Sequence, residues 1–288
     1  MRVPDEVREC VVYLGLPVNL PDGRMAMKPV GTAFFAFMPD ETLENWGYSY
    51  LVTAKHVAQG LDGKEFVARV NLRDGGATLI KGEGVTWWHH PTDTAVDVAL
   101  FPWALSPQKY EFRRLATEMF LTDEIIRSQS IGPGDEVFVT GLFAHFAGSQ
   151  RNIPIVRMGN IAMMPQEPVP TNMGNIDAYL IEARSIGGLS GSPAFVRATV
   201  SLGMGKFYLL GLMHGHWDIP ADAIDDSAAE DQRSEVYGRV NMGIAIVIPA
   251  KKILDVLNQQ GLIDMRRYYT EEERKRRQPT LDEASQSS

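Results

Sequence analysis

The stretch Gly187-Gly188-Leu189-Ser190-Gly191-Ser192-Pro193 decides how the chain is read. A serine stands between glycines in a tight turn of small residues closed by proline. Glycine adopts backbone conformations that a Cβ disfavours, so such a loop can expose the serine hydroxyl and turn nearby backbone N–H groups toward one point. Nucleophilic acyl transfer needs that pairing of a hydroxyl with donors for a developing oxyanion. Alone the pattern is weak, because glycine-serine turns are common and most only reverse the chain.

Two upstream segments strengthen it. Tyr50-Leu51-Val52-Thr53-Ala54-Lys55-His56-Val57 is an apolar, β-branched run that ends in histidine. Ala95-Val96-Asp97-Val98-Ala99-Leu100 sets an aspartate inside an apolar, strand-like segment. Each has a plain structural explanation: His56 as a hydrogen-bonded histidine at a strand end, Asp97 as a turn cap. All three together, in the order His, Asp, Ser, match the order of one of the known serine triads and not the others.

The blocks resemble those of the trypsin-like, chymotrypsin-fold serine proteases. Leu51–Val57 is similar to their L-T-A-x-H block, Asp97-Val98-Ala99-Leu100 to D-I-A-L, and Gly188–Pro193 to G-x-S-G-G-P. Gly31-Thr32-Ala33-Phe34-Phe35 resembles the G-T-G-F strand of bacterial members, and Gly243–Pro249 with Ala250–Leu254 resembles the last strand and final helix of the HtrA-like group. The resemblance runs from Gly31 to Leu257. It implies an all-β fold of two antiparallel six-stranded barrels with the active site between them, plus a C-terminal helix. It also implies a serine endopeptidase with His56 as base, Asp97 orienting it, Ser190 as nucleophile, and the N–H groups of Gly188 and Ser190 as oxyanion hole. The alternative is a catalytically silent protease-fold domain used for binding.

Composition fits a globular enzyme. The chain has 288 residues, a net charge of −8 and one cysteine, Cys10. The acidic balance argues against a general nucleic-acid binder, and no segment approaches the ~18 uninterrupted apolar residues of a membrane helix. The first residues lack a basic region and a small-residue cleavage site, so no signal peptide is expected. A lone cysteine points to a reducing, cytoplasmic setting. No cofactor is called for and no metal-ligand spacing is found. The expected partner is a protein or peptide substrate.

The organisation expected is an N-terminal barrel over residues 1–110, a polar connector over 111–130, a second barrel with the final helix over 131–262, and a charged, partly disordered tail over 263–288. Asp218–Arg233 reads as an acidic surface insertion, and Gly261 as a helix stop. His89, His90, Asp93 and His145 sit in turn-like or aromatic loops and are weaker candidates. Ser192 occupies the second glycine position of its block, which makes it a poor nucleophile.

Departures from the resemblance carry expectations too. Leu189 replaces the Asp or Asn usual before the serine, and it cannot pair with a newly cut N-terminus, so activation by that route is not expected. Arg184, six residues before Ser190, falls where the family places its primary pocket floor. There it would favour acidic side chains, unless it turns outward or pairs with Glu182. His214 falls where a Ser or Thr usually lies beside the triad acid, and it is read as contacting Asp97 or lining the substrate pocket.

Overall fold

A computed structural model describes residues 3–171, 173–183, 187–198, 206–220 and 239–278. A short helix, α1 (Asp5–Glu9), leads into β1 (Val11–Asn19), which turns at Asp22-Gly23 and pairs antiparallel with the long β2 (Met25–Pro39). Gly31–Ala36 in the middle of β2 is buried, and β3 (Gly47–Thr53) pairs with Phe34–Pro39. A helix, α2 (Lys55–Leu61), follows β3 directly. Then come β4 (Phe66–Asn71), β5 (Ala77–Gly82), β6 (Trp88–His89), β7 (Ala99–Pro102) and β8 (Arg114–Ala116).

These strands form one eight-stranded sheet in the order β5-β4-β1-β2-β3-β7-β6, with β8 pairing parallel to β2. The expectation of a six-stranded antiparallel barrel is corrected here: among the described residues the path stays open between β5 and β6. β6 is only two residues long and Pro91 follows it, so it offers almost no ladder for β5 to join.

The connector also holds more structure than its weak alternation suggests. After β8 come a 3-10 turn (Thr117–Met119) and α3 (Asp123–Gln129), capped by Thr122, whose Oγ1 accepts the Ile125 N–H at 3.3 Å.

The C-terminal half closes. Its strands are β9 (Glu136–Gly141), β10 (Ile155–Met163), β13 (Tyr179–Glu182), β14 (Pro193–Ala198), β15 (Lys206–Pro220) and β16 (Arg239–Pro249), joined in a six-stranded barrel. A small ribbon of β11 (Val169–Thr171) and β12 (Gly174–Ile176) lies outside it. Val137, Val139, Ile181, Val196, Leu210 and Val247 point inward, as alternation requires. The other core spans both halves, running from Tyr13, Phe34 and Leu51 through Phe120, Phe195 and Leu212 to Ile253 of α4 (Ala250–Leu257). The halves are therefore fused by a shared apolar seam, and the site lies along it. Of the expected acidic insertion over 218–233, residues 221–233 lie outside the described residues.

Gly261 does not stop the final helix. The chain breaks at Asn258 and Gln259 and resumes as α5 (Gln260–Arg277). A Cβ on Gly261 would lie 2.5 Å from Trp88, so the glycine serves a close approach to that ring. The start of the expected solvated tail is thus a docked helix: the Tyr48 hydroxyl donates to the Arg266 carbonyl at 2.6 Å, and Arg266 Nη1 donates to the Tyr50 hydroxyl at 2.9 Å. Residues 279–288 lie outside the described residues. Among the described residues, no helix is long and apolar enough to cross a membrane.

Candidate active site

β3 ends at Thr53, and the chain turns at once into α2, so His56 stands in the first turn of that helix. Asp97 lies two residues ahead of β7 and not inside a strand, in a loop held by Lys55 Nζ donating to the Thr94 carbonyl at 2.7 Å. That loop brings the Asp97 carboxylate under α2. Its Oδ1 accepts the His56 backbone N–H at 2.9 Å, and its Oδ2 meets His56 Nδ1 at 2.8 Å. Asp97 is fully buried, whereas the His56 ring is 38% exposed and open to a ligand.

His214 completes the group. Its Nδ1 lies 2.6 Å from the same Asp97 Oδ2, and the two imidazoles stand edge to face at 5.7 Å. Contact with Asp97, one of the two roles expected of His214, is present in the structure. Burial by itself would push the Asp97 carboxyl up, but hydrogen bonds from His214 and His56 outweigh it and hold the group well below the usual carboxylate range. An ionised carboxylate only accepts, so each ring carries a proton on the Nδ1 that faces it.

The donor atoms of His56, Asp97 and His214 fall within 4.8 Å of one another, as a cation site would require. The short N···O distances are hydrogen bonds, however, and each Nδ1 proton occupies the lone pair that a metal would need.

Ser190 sits on the turn before β14. The loop is fixed from the N-terminal half by Thr32: its N–H donates to the Ser190 carbonyl at 3.0 Å, and its Oγ1 donates to the Gly188 carbonyl at 2.8 Å while accepting the Leu142 N–H at 2.9 Å. From the barrel side, the Gly191 N–H donates to the Met213 carbonyl at 2.8 Å. Gly188 and Gly191 have φ of +98° and +80°, a region open to glycine. Leu189 is buried, so an apolar side chain anchors the loop where a salt bridge was not available. Among the described residues, neither the Gly188 nor the Ser190 N–H has an acceptor, as donors to an oxyanion must be left.

The Ser190 hydroxyl donates to the His214 carbonyl at 3.4 Å, and no hydrogen bond joins it to His56. The structure therefore brings His56, Asp97 and His214 together and sets Ser190 beside them with its hydroxyl turned aside. Thr32 is the supporting residue that its local sequence, Gly31-Thr32-Ala33-Phe34-Phe35, does not single out. The weaker candidates fall outside the group. Asp93 caps its own loop by accepting the Ala95 N–H at 2.9 Å, and His90 meets Asp255 at 3.4 Å. His145 stacks edgewise on Phe143, and Ser192 is fully buried. Arg184 lies outside the described residues.

No protein-family model matches the chain, and no curated protein matches it. Among solved structures, the crystal structure of the apo MamO protease domain from Magnetospirillum magneticum aligns over 88% of this chain and 98% of that one, with a TM-score of 0.52 at 18% identity. Similarity at that identity speaks for the fold alone: mostly β, with a closed six-stranded barrel and C-terminal helices, this chain shares the chymotrypsin-like fold of that domain.

Proposed function

We propose that this chain is a serine endopeptidase that hydrolyses peptide bonds through Ser190, His56 and Asp97. The observation that carries the proposal is the buried Asp97 carboxylate bonded to both the backbone and Nδ1 of His56, next to the Ser190 loop. In this reading Ser190 rotates about χ1, the torsion that moves its Oγ, from the His214 carbonyl to His56 Nε2. Oγ attacks the substrate carbonyl as Nε2 takes its proton, and the Gly188 and Ser190 N–H groups hold the oxyanion. The intermediate collapses as His56 returns that proton to the leaving amine, and water then cleaves the acyl-enzyme by the same route. The β14 ladder on β15 ends at Pro193–Leu212, so the stretch from His214 to Trp217 has β16 on one side and no second ladder strand among the described residues. An extended peptide fits that edge by strand addition.

The reading carries a protein or peptide substrate and a cytoplasmic setting, in which Cys10 stays a buried thiol whose burial pushes its pKa up. Turnover of a mixed peptide library by the wild type and its loss in Ser190→Ala is the test. The second reading, a silent binding domain, is favoured by the Ser190 hydroxyl bonding to His214 and not to His56. Peptides bound but never cleaved would select it.

A further inference from the structure

His214 occupies an unusual place in its strand. Met213 pairs with Val247 and Gly215 with Ile246, so His214 is the extra residue of a β-bulge. A bulge re-aims the side chain it carries, and here the ring turns into the seam to meet Asp97. The ring is nearly buried, at 9% exposure. Both ends of the residue touch the candidate triad: Nδ1 reaches Asp97 Oδ2 at 2.6 Å, and the carbonyl accepts the Ser190 hydroxyl at 3.4 Å.

The surroundings isolate this contact. The groups acting most strongly on Asp97 are the two imidazoles. The residues paired with this part of β15 are Val247 and Ile246 on β16 and Pro193 on β14, none of them ionisable. α4 packs on β15, but its charges are engaged elsewhere: Lys251 with Asp123, Lys252 with Asp177 and Asp255 with His90. His216 lies two residues along the same strand.

We propose that His214 is a positioning residue whose ring N–H fixes Asp97 Oδ2 and shares the carboxylate with His56, a role that rests on the triad reading of the site. Oδ1 is taken by the His56 backbone, so the single oxygen Oδ2 serves both rings. A donor at that oxygen draws charge away from it and weakens its hold on a proton at His56. His214 thereby keeps His56 less basic than an aspartate with one partner would make it. Its removal strips a donor from a buried carboxylate, and the attraction for a proton on His56 grows.

The test is an NMR titration of ¹⁵N-histidine-labelled protein, with His56 and His214 assigned by single substitution. Wild type near neutral pH is expected to carry the proton on Nδ1 of both rings. In His214→Phe the His56 midpoint is expected to rise by about one pH unit, the scale on which a lost hydrogen bond to a neighbouring charge is felt. His214→Asn keeps an amide N–H near the Nδ1 position and is expected to hold the midpoint within about 0.3 unit of wild type. A folded His214→Phe with an unmoved His56 midpoint would overturn the proposal. So would a wild-type His214 protonated at Nε2, a result that needs no variant to fold. The pH dependence of fluorophosphonate labelling is read alongside: its acid limb is expected to move with the His56 midpoint. Wild type that never labels sinks the endopeptidase reading, while the His56 midpoints still decide the role of His214.

Discussion

Replacing Gly191 by alanine tests how the nucleophile loop is held. At φ +80° a side chain is strained whatever the space around it, at a cost of about 1–2 kcal/mol. The new Cβ would also land 3.0 Å from the Ala54 nitrogen, and nearer still to the Thr32 carbonyl oxygen and Thr53 Oγ1. Those are backbone and buried atoms, and Thr53 Oγ1 is already committed to the Thr32 carbonyl at 2.7 Å. Overpacking of this kind adds roughly 1–3 kcal/mol. The sum, about 2–5 kcal/mol, corresponds to a fall in Tm on the order of 10 °C at ~2–4 °C per kcal/mol. Ala54 leads directly into the helix that bears His56, so the strain also reaches the base. Gly187→Ala is the matched control, since nothing lies within 4 Å of a Cβ there. Thermal unfolding of both variants provides the measurement. Gly191→Ala melting within ~2 °C of wild type, a shift worth less than about 1 kcal/mol, or an equal loss in Gly187→Ala, would show that Gly191 does not hold the loop.

His56→Ala and Asp97→Asn are each expected to lower kcat by about 10³–10⁴, and adding Ser190→Ala to either should cost little more, because triad members act as a unit. Steady-state kinetics on the peptide cleaved by wild type checks this, and full activity in Asp97→Asn with loss in Asp93→Asn would move the carboxylate assignment. The depressed Asp97 carboxyl contributes stability that is fully present above its unfolded value of about 3.9 and is lost as pH falls through and below it. Urea unfolding from pH 7 to pH 3 should therefore fall less steeply for Asp97→Asn than for wild type, and parallel curves would count against the folded-state hydrogen bonds that hold the carboxylate. If Arg184 forms the primary pocket floor, library profiling should favour Glu or Asp on the acyl side of the cut bond, and Arg184→Ala should erase the preference without removing activity. A preference for basic or large apolar residues would place Arg184 elsewhere.

The candidate positions stand out in the sequence because the chemistry proposed for them needs particular residue types in short local contexts: a β-branched run before His56, small residues around Ser190, and one carboxylate in an apolar stretch at Asp97. The strand that carries Gly31-Thr32 was legible too, but not the clamp that Thr32 forms, because a hydroxyl bonded to a loop 156 residues away leaves no local pattern. Closure of a sheet is likewise non-local, so alternation alone could not tell that the N-terminal sheet stays open at β6. A short solvated helix around Glu271–Arg277 is expected from sequence, but the start of α5 at Gln260 and its docking are not, for a different reason. The face that α5 turns inward carries Leu262, Arg266, Thr270 and Glu273, which are mostly polar, so hydropathy reads them as solvated while the structure buries three of them. Gly261 looked like a stop because glycine ends helices more often than it makes room for a tryptophan. His214 was visible as an oddity beside the triad acid, and only the bulge in β15 decides which way its ring turns.

In the endopeptidase reading, Ser190 is a nucleophile activated by His56 and Asp97. Intact-mass measurement after exposure to a fluorophosphonate tests it most directly, since covalent capture requires an activated hydroxyl but no knowledge of the substrate. The prediction is a single adduct on wild type, mapped to Ser190 by peptide sequencing, absent from Ser190→Ala and strongly slowed in His56→Ala. Equal labelling of wild type and Ser190→Ala, or a wild type left unmodified at neutral and mildly alkaline pH alike, would contradict it.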